Sequence, residues 1–188
     1  DSLADIVSFG LAPAILAYHA GHLEGFRRSG FVIAFLFVAC AALRLARFNV
    51  HASRYSGRFE GLPSPAAAGM VSATQLFVSF LRDEQIGVAV PEALVAAGVA
   101  ALGLLMVSAI PYRSFKEMDV RHSYRAIVLM VLALAVIIQE PQIALFVIGV
   151  LYVASGPVEW VWRMLSGRPL EKLPPPVAAD TAPPYYDV

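Results

Sequence analysis

The stretch FVIAFLFVACAALRLARF, residues 31–48, decides the fold. It holds no charged side chain from Phe31 to Leu43 and then closes on Arg44 and Arg47. A helix rises about 1.5 Å per residue, so roughly 20 apolar residues cross the ~30 Å hydrocarbon core of a bilayer. The stretch predicts a transmembrane helix with its arginines at the membrane edge, where long basic side chains can reach headgroups. Working outward, the same reading places further spans near residues 3–20, 65–81, 88–110, 124–139 and 143–162. The fifth is short, and Glu140-Pro141 marks its end. The fold class is therefore an all-α polytopic membrane protein with six transmembrane helices. Composition agrees: the chain is 59% hydrophobic and 15% charged, with a mean hydropathy of +0.68, well outside globular usage.

Residues 1–168 form the transmembrane domain by this reading. Residues 169–188, with Pro174, Pro175, Pro176, Pro183 and Pro184, read as a proline-rich disordered tail. The formal net charge is zero, which gives no electrostatic case for nucleic acid. The single cysteine, Cys40, sits in the apolar run and reads as a small buried hydrophobe. Residues 1–20 show no secretory signal pattern, since they lack a basic n-region and begin with carboxylates. The chain opens on Asp1 without a methionine, which is the expectation for a sequence that starts inside a longer protein and within its site. Small residues crowd the third and fourth spans (Ala66 to Gly69, Ala96 to Ala101) and favour close helix packing. Tyr152, Trp160 and Trp162 suit interface anchors.

Six spans put both chain ends on one side of the membrane, with the second-to-third and fourth-to-fifth loops. That side holds 11 of the 14 basic residues, among them Arg44, Arg47, Arg58, Arg113 and Arg125. The positive-inside rule makes it cytoplasmic. Asp1 and Asp5 belong to the same side.

Asp1 and Asp5 are the only acids before Glu24 and stand one helical turn apart. Two carboxylates so spaced can share a divalent cation with substrate phosphate oxygens, or can simply favour the positive end of a helix. Arg44 and Arg47 share a helix face; they suit phosphate or carboxylate, or else anchor the span. Gly61-Leu62-Pro63-Ser64-Pro65 makes a rigid entry into a small-residue helix, with Pro65 tolerated in its first turn. His19, His22, His51 and His122 lack metal-ligand spacing and read as interfacial. The loop from Tyr112 to Arg125 mixes charges and reads as a solvated face.

Together these residues resemble the CDP-alcohol phosphatidyltransferase family, whose motif runs D-x2-D-G-x2-A-R and then G-x3-D-x3-D. Asp1-x3-Asp5 resembles its last two aspartates. Residues 1–14 (DSLADIVSFGLAPA), Arg44-Leu45-Ala46-Arg47-Phe48-Asn49 and Gly61 to Ala68 are similar to one branch, the CDP-diacylglycerol–serine O-phosphatidyltransferases. The motif-level likeness covers roughly residues 1–70, and the remainder is alike only in hydropathy. The first half of the motif is absent, so the six spans correspond to the third family helix onward.

The resemblance implies phosphatidyl transfer from CDP-diacylglycerol to the hydroxyl of L-serine, giving phosphatidylserine and CMP, with two Mg²⁺ or Mn²⁺ ions. It implies Asp1 as a metal bridge and Asp5 as metal ligand and general base. Arg44, Arg47 and Asn49 would then hold the acceptor or a phosphate, and Ser8, Gly61, Pro63 and Pro65 would shape the pocket. It further implies membrane-lipid contacts, a homodimer, and a bacterial cytoplasmic (inner) membrane with the site facing the cytoplasm. With half the motif missing, the fragment by itself is expected to be inactive. The alternative acceptors are glycerol 3-phosphate, inositol phosphate or choline. A small transporter is a more remote reading, since such proteins keep polar residues near the midplane in repeated halves. Here the charges cluster at one face and no repeat is visible.

Overall fold

The computed structural model describes residues 2–21, 23–51, 58–84, 90–113 and 138–166. The first helical stretch is built in three pieces: α1 (Ser2–Ile6), a π-helical turn (Val7–Leu11) and α2 (Ala12–His19). In the wide turn the Ala12 N–H reaches back to the Val7 carbonyl. Pro13 follows at once and has no N–H to give, so the regular ladder is interrupted at the same place. Gly10 is buried there, and a Cβ on it would stand 3.3 Å from the Ala41 side chain. Its bareness lets the widened turn lie close against the next helix.

A 3₁₀ turn (Leu23–Phe26) leads into α3 (Arg28–His51), which carries the 31–48 stretch. Strand β1 (Arg58–Glu60) and the Gly61 turn precede α4 (Ser64–Asp83). Helix α5 (Glu92–Val107) ends at strand β2 (Pro111–Arg113), and α6 (Pro141–Leu165) completes the described chain. Strands β1 and β2 pair antiparallel, Phe59 opposite Tyr112. This two-strand ribbon is an addition to the helical class expected from sequence.

Among the described residues four helical stretches are long and apolar enough to cross a membrane: Ser2–His19, Arg28–Asn49, Ser64–Asp83 and Pro141–Trp162. They correspond to the first, second, third and sixth expected spans. The fourth, expected over residues 88–110, is a helix of 16 residues, Glu92–Val107. Pro91 sets its start, and Ser108 turns to extended backbone at its end. The fifth expected span, apart from its last two residues, and the tail lie outside the described residues.

The core is a seam between α2, α3, α4 and α5: Ala17, Phe37, Cys40, Ala67, Val71, Val99, Leu102 and Met106 are all buried. Close approach comes from Gly103, where a Cβ would meet the Phe37 backbone at 3.5 Å. Gly69 and Gly98, in the small-residue stretches expected to pack tightly, have open space around them instead. Helix α6 is peripheral and packs on α4 alone among the helices in any extent. Phe146 stacks on Phe77 with ring centroids 4.3 Å apart, while Leu151, Val158 and Leu165 are exposed. Such a face would aggregate in water but is an ordinary lipid-facing surface.

The chain's path gives the bundle two distinct ends. One collects the start of α1, the end of α3, the start of α4, the end of α5 and both strands. There Asn49 Nδ2 donates to Ser2 Oγ at 3.2 Å, and the Gly61 and Leu62 amides donate to the Ile110 and Leu105 carbonyls at 2.9 and 3.0 Å. The 3₁₀ turn and the start of α5 meet at the other end, where Gly25 lies beside the Glu92 carboxylate. Helix α6 runs antiparallel to α4, with Phe146 on Phe77 and Gly149 on Met70. Arg113 and Pro141, which flank the fifth expected span, therefore stand at opposite ends.

Candidate active site

At the first of these ends lies a cavity of about 290 Å³. Three elements build it. Helix α1 and the π turn contribute Asp5, Ile6 and Phe9. Helix α3 contributes Ala41, Arg44, Leu45 and Phe48, a spacing of three, four and seven that marks one helix face. The entry to α4 contributes Pro63, Ser64 and Pro65. The lining is thus apolar except for one acid, one base and one hydroxyl. That combination suits a molecule with a charged head on an apolar body.

Local sequence explains each position. Asp5 is exposed near the start of the first helical stretch, where a carboxylate is favoured by the helix dipole. It makes no ion pair or hydrogen bond with another described residue. Arg44 is half-buried and lies within electrostatic reach of both Arg47 and Tyr152 of α6. Pro63 holds extended backbone (φ −56°, ψ 134°) and stops the chain from entering the helix early. The N-terminus of α4 therefore opens beside Arg44, and both favour an anion.

The Gly61 turn is fixed from outside the cavity. Gly61 has φ +76°, and a Cβ there would collide with the Met106 carbonyl oxygen at the end of α5. Leu62 is fully buried next to it. Gly61 thus docks the turn on α5 and presents Pro63 to the cavity without lining it.

Of the residues expected from sequence, Asp5, Arg44, Pro63 and Pro65 surround this cavity. Arg47, Asn49 and Ser8 are exposed and do not line it, and Asn49 instead ties the end of α3 to Ser2. Asp1 lies outside the described residues. Sequence reasoning missed the apolar walls, Ile6, Phe9, Ala41, Leu45 and Phe48, although their spacing around Asp5 and Arg44 was a readable signal.

Tyr112, the first residue of the loop expected to be a solvated face, is itself buried. Tyr112 is 1% exposed, and its hydroxyl donates to the Val153 carbonyl of α6 at 3.0 Å. Burial, with Tyr152 nearby, pushes its pKa up to about 12. Tyr152 correspondingly is half-buried against the core, its ring 5.8 Å from that of Tyr112. The remainder of that loop lies outside the described residues. Apolar length and charge counting cannot see an aromatic pair formed across 40 residues.

A second cavity of about 470 Å³ lies between α4, α5 and α6. Thr74 and Gln75 are the polar side chains on its otherwise apolar wall, and it holds no titratable group.

A bundle of helices apolar enough to cross a membrane, whose acid, base and helix N-terminus meet at one amphipathic cavity, suits a protein that binds a charged lipid. Comparison with known proteins narrows the class. A CDP-diacylglycerol–serine O-phosphatidyltransferase of Helicobacter pylori (strain ATCC 700392 / 26695) is 36% identical over 172 residues, covering 88% of this chain and 68% of that protein. An archaetidylserine synthase of Methanothermobacter thermautotrophicus is 40% identical over 114 residues, 60% of this chain and 42% of that protein. A CDP-diacylglycerol–serine O-phosphatidyltransferase of Mycobacterium tuberculosis (strain ATCC 25618 / H37Rv) is 30% identical over 169 residues, 84% and 56% respectively. No family model matches the chain. The chain belongs to the CDP-diacylglycerol–serine O-phosphatidyltransferase family.

Proposed function

We propose that this protein transfers the phosphatidyl group of CDP-diacylglycerol to the hydroxyl of L-serine, giving phosphatidylserine and CMP. The observation that carries the reading is the convergence of Asp5, Arg44 and the Pro63–Pro65 entry on one cavity, in a chain with this family membership. The serine oxygen attacks the phosphorus that bears diacylglycerol, and its proton passes to the Asp5 carboxylate. The phosphorus–oxygen bond to the bridging oxygen of the pyrophosphate breaks, and that oxygen leaves with CMP. Arg44 and the N-terminus of α4 supply positive potential for phosphate or for the serine carboxylate. Phe9, Leu45 and Phe48 offer apolar surface to the lipid body.

A divalent cation, Mg²⁺ or Mn²⁺, belongs to this reading. The donor chemistry fits a hard ion: Asp5 is an exposed carboxylate without an ion-pair partner among the described residues, and Asp1 is its companion in sequence. Asp5 and Asp1 would hold it. When bound, the ion neutralises pyrophosphate charge and stabilises the leaving group. Arg47, Asn49 and Ser8 are assigned supporting roles at the rim. The excess of basic residues at the site end supports a cytoplasmic orientation in a bacterial inner membrane. A homodimer is part of the same reading, by family resemblance.

The test is CMP release by the full-length enzyme with CDP-diacylglycerol and each acceptor in turn. Release dependent on L-serine is expected. Equal or faster release with glycerol 3-phosphate would refute the assignment.

A further inference from the structure

Tyr112, Gly156 and Pro157 form a contact that the chemistry above does not use. Pro157 sits inside α6 and has no N–H, so the Val153 carbonyl four residues earlier loses its helical donor. Within a membrane such a carbonyl needs another partner. The Tyr112 hydroxyl is that partner, at 3.0 Å. Gly156 makes the approach possible, because a Cβ there would overlap the Tyr112 ring. Gly-Pro in α6 thus creates both a socket and an acceptor, and Tyr112 fills both.

Tyr112 is connected to the cavity on two sides. Its ring packs beside that of Tyr152, and Tyr152 lies within electrostatic reach of Arg44. Its backbone belongs to β2, which pairs with β1, and β1 runs directly into the Gly61 turn and the Pro63–Pro65 wall.

We propose that Tyr112, seated in the Gly156 socket, is a positioning residue that sets Arg44 and the Pro63–Pro65 wall for the substrate headgroup. The inference rests on the proposed reaction only in naming that headgroup. The placement of the wall is testable without turnover.

The experiment uses the full-length enzyme in detergent. Gly156→Ala forces Tyr112 from its socket, whereas Gly98→Ala adds a methyl to open space on α5 and serves as control. Amide exchange at Gly61 and Leu62 is expected to quicken by about tenfold in Gly156→Ala and to stay unchanged in Gly98→Ala. Tyr112→Phe adds no bulk and is read in the same way, so a Gly156→Ala protein that fails to fold leaves the test intact. In turnover, Tyr112→Phe is expected to raise KM for serine or for CDP-diacylglycerol about fivefold with kcat within about twofold. In an Arg44→Lys background the same change should add less than about twofold, because the two act through one group. Unchanged exchange at Gly61 and Leu62 in both variants overturns the proposal. So does a KM effect that multiplies in full on Arg44→Lys. A wild type that releases no CMP with serine overturns the proposed reaction instead, and the exchange measurement still decides the role of Tyr112.

Discussion

In the proposed reaction Asp5 carries the largest chemical burden of any described residue. It stands at the site end with Arg44 across the cavity, and its carboxylate forms no ion pair with another described residue. Asp5→Asn keeps shape and size but removes what the proposed reaction uses as proton acceptor and metal-binding charge. We predict a loss of at least about a hundredfold in CMP release, the usual scale of a general base, with an unchanged melting temperature in detergent. Near-normal turnover would exclude Asp5 as the base. Chelation of divalent cations should abolish the same activity, and added Mg²⁺ or Mn²⁺ should restore it. Tyr112 makes a separate prediction. Its folded-state pKa of about 12 lies above the ordinary value of 10, so the folded protein holds the phenol proton more tightly than the unfolded chain. Its contribution is fully present below pH 10 and disappears as pH rises toward 12. Melting temperature measured across that window should fall more steeply in the wild type than in Tyr112→Phe.

The elements show which features a sequence can announce. The hydropathy of residues 31–48 is continuous, so α3 was legible at once, and the site-end faces of α1 and α3 followed from Asp5, Arg44 and their membrane side. The Gly61-to-Pro65 entry was legible as a rigid turn because proline and glycine act locally. The π turn at Val7–Leu11 was not, since Pro13 marks only an interruption, and the close approach of Gly10 to Ala41 involves another helix. Nor was the β1–β2 ribbon, three residues to a strand, too short to leave an alternating pattern. The Gly156-Pro157 pair was visible as letters, but its meaning needed Tyr112. That pair supports a double-mutant cycle. Tyr112→Phe strands the Val153 carbonyl and should cost about 1–3 kcal/mol, the scale of a buried group left unsatisfied. Pro157→Ala returns an N–H to that carbonyl. In the Pro157→Ala background the Tyr112→Phe cost should therefore shrink to below about 1 kcal/mol. Equal costs in both backgrounds would show that the loss does not arise from the stranded Val153 carbonyl.

For the whole molecule, polarity between its two ends is the property that links fold to function. Charge counting placed Arg44, Arg47, Asp5 and the proline entry on one side, and the structure gathers Asp5, Arg44 and Pro63–Pro65 at one end of the bundle. Hydropathy gave the helices but not their neighbours, because lipid-facing and core-facing apolar residues read alike; Leu151 and Phe37 differ in exposure but not in character. The antiparallel packing of α6 on α4 adds a constraint that sequence lacked. It puts Ser166, just after α6, at the site end, and Glu84, just after α4, at the opposite end. Cys40 is buried, so it offers little background to thiol labelling. Single cysteines at Ser166 and Glu84 in the full-length protein should therefore behave oppositely toward a membrane-impermeant maleimide. In intact cells Glu84→Cys is expected to react and Ser166→Cys to be protected, with both reacting once the membrane is opened. The reverse pattern would place Asp5 and Arg44 on the outer face. It would separate them from cytoplasmic supplies of serine and cytidine nucleotide, and would overturn the proposed orientation together with the reaction assigned to it.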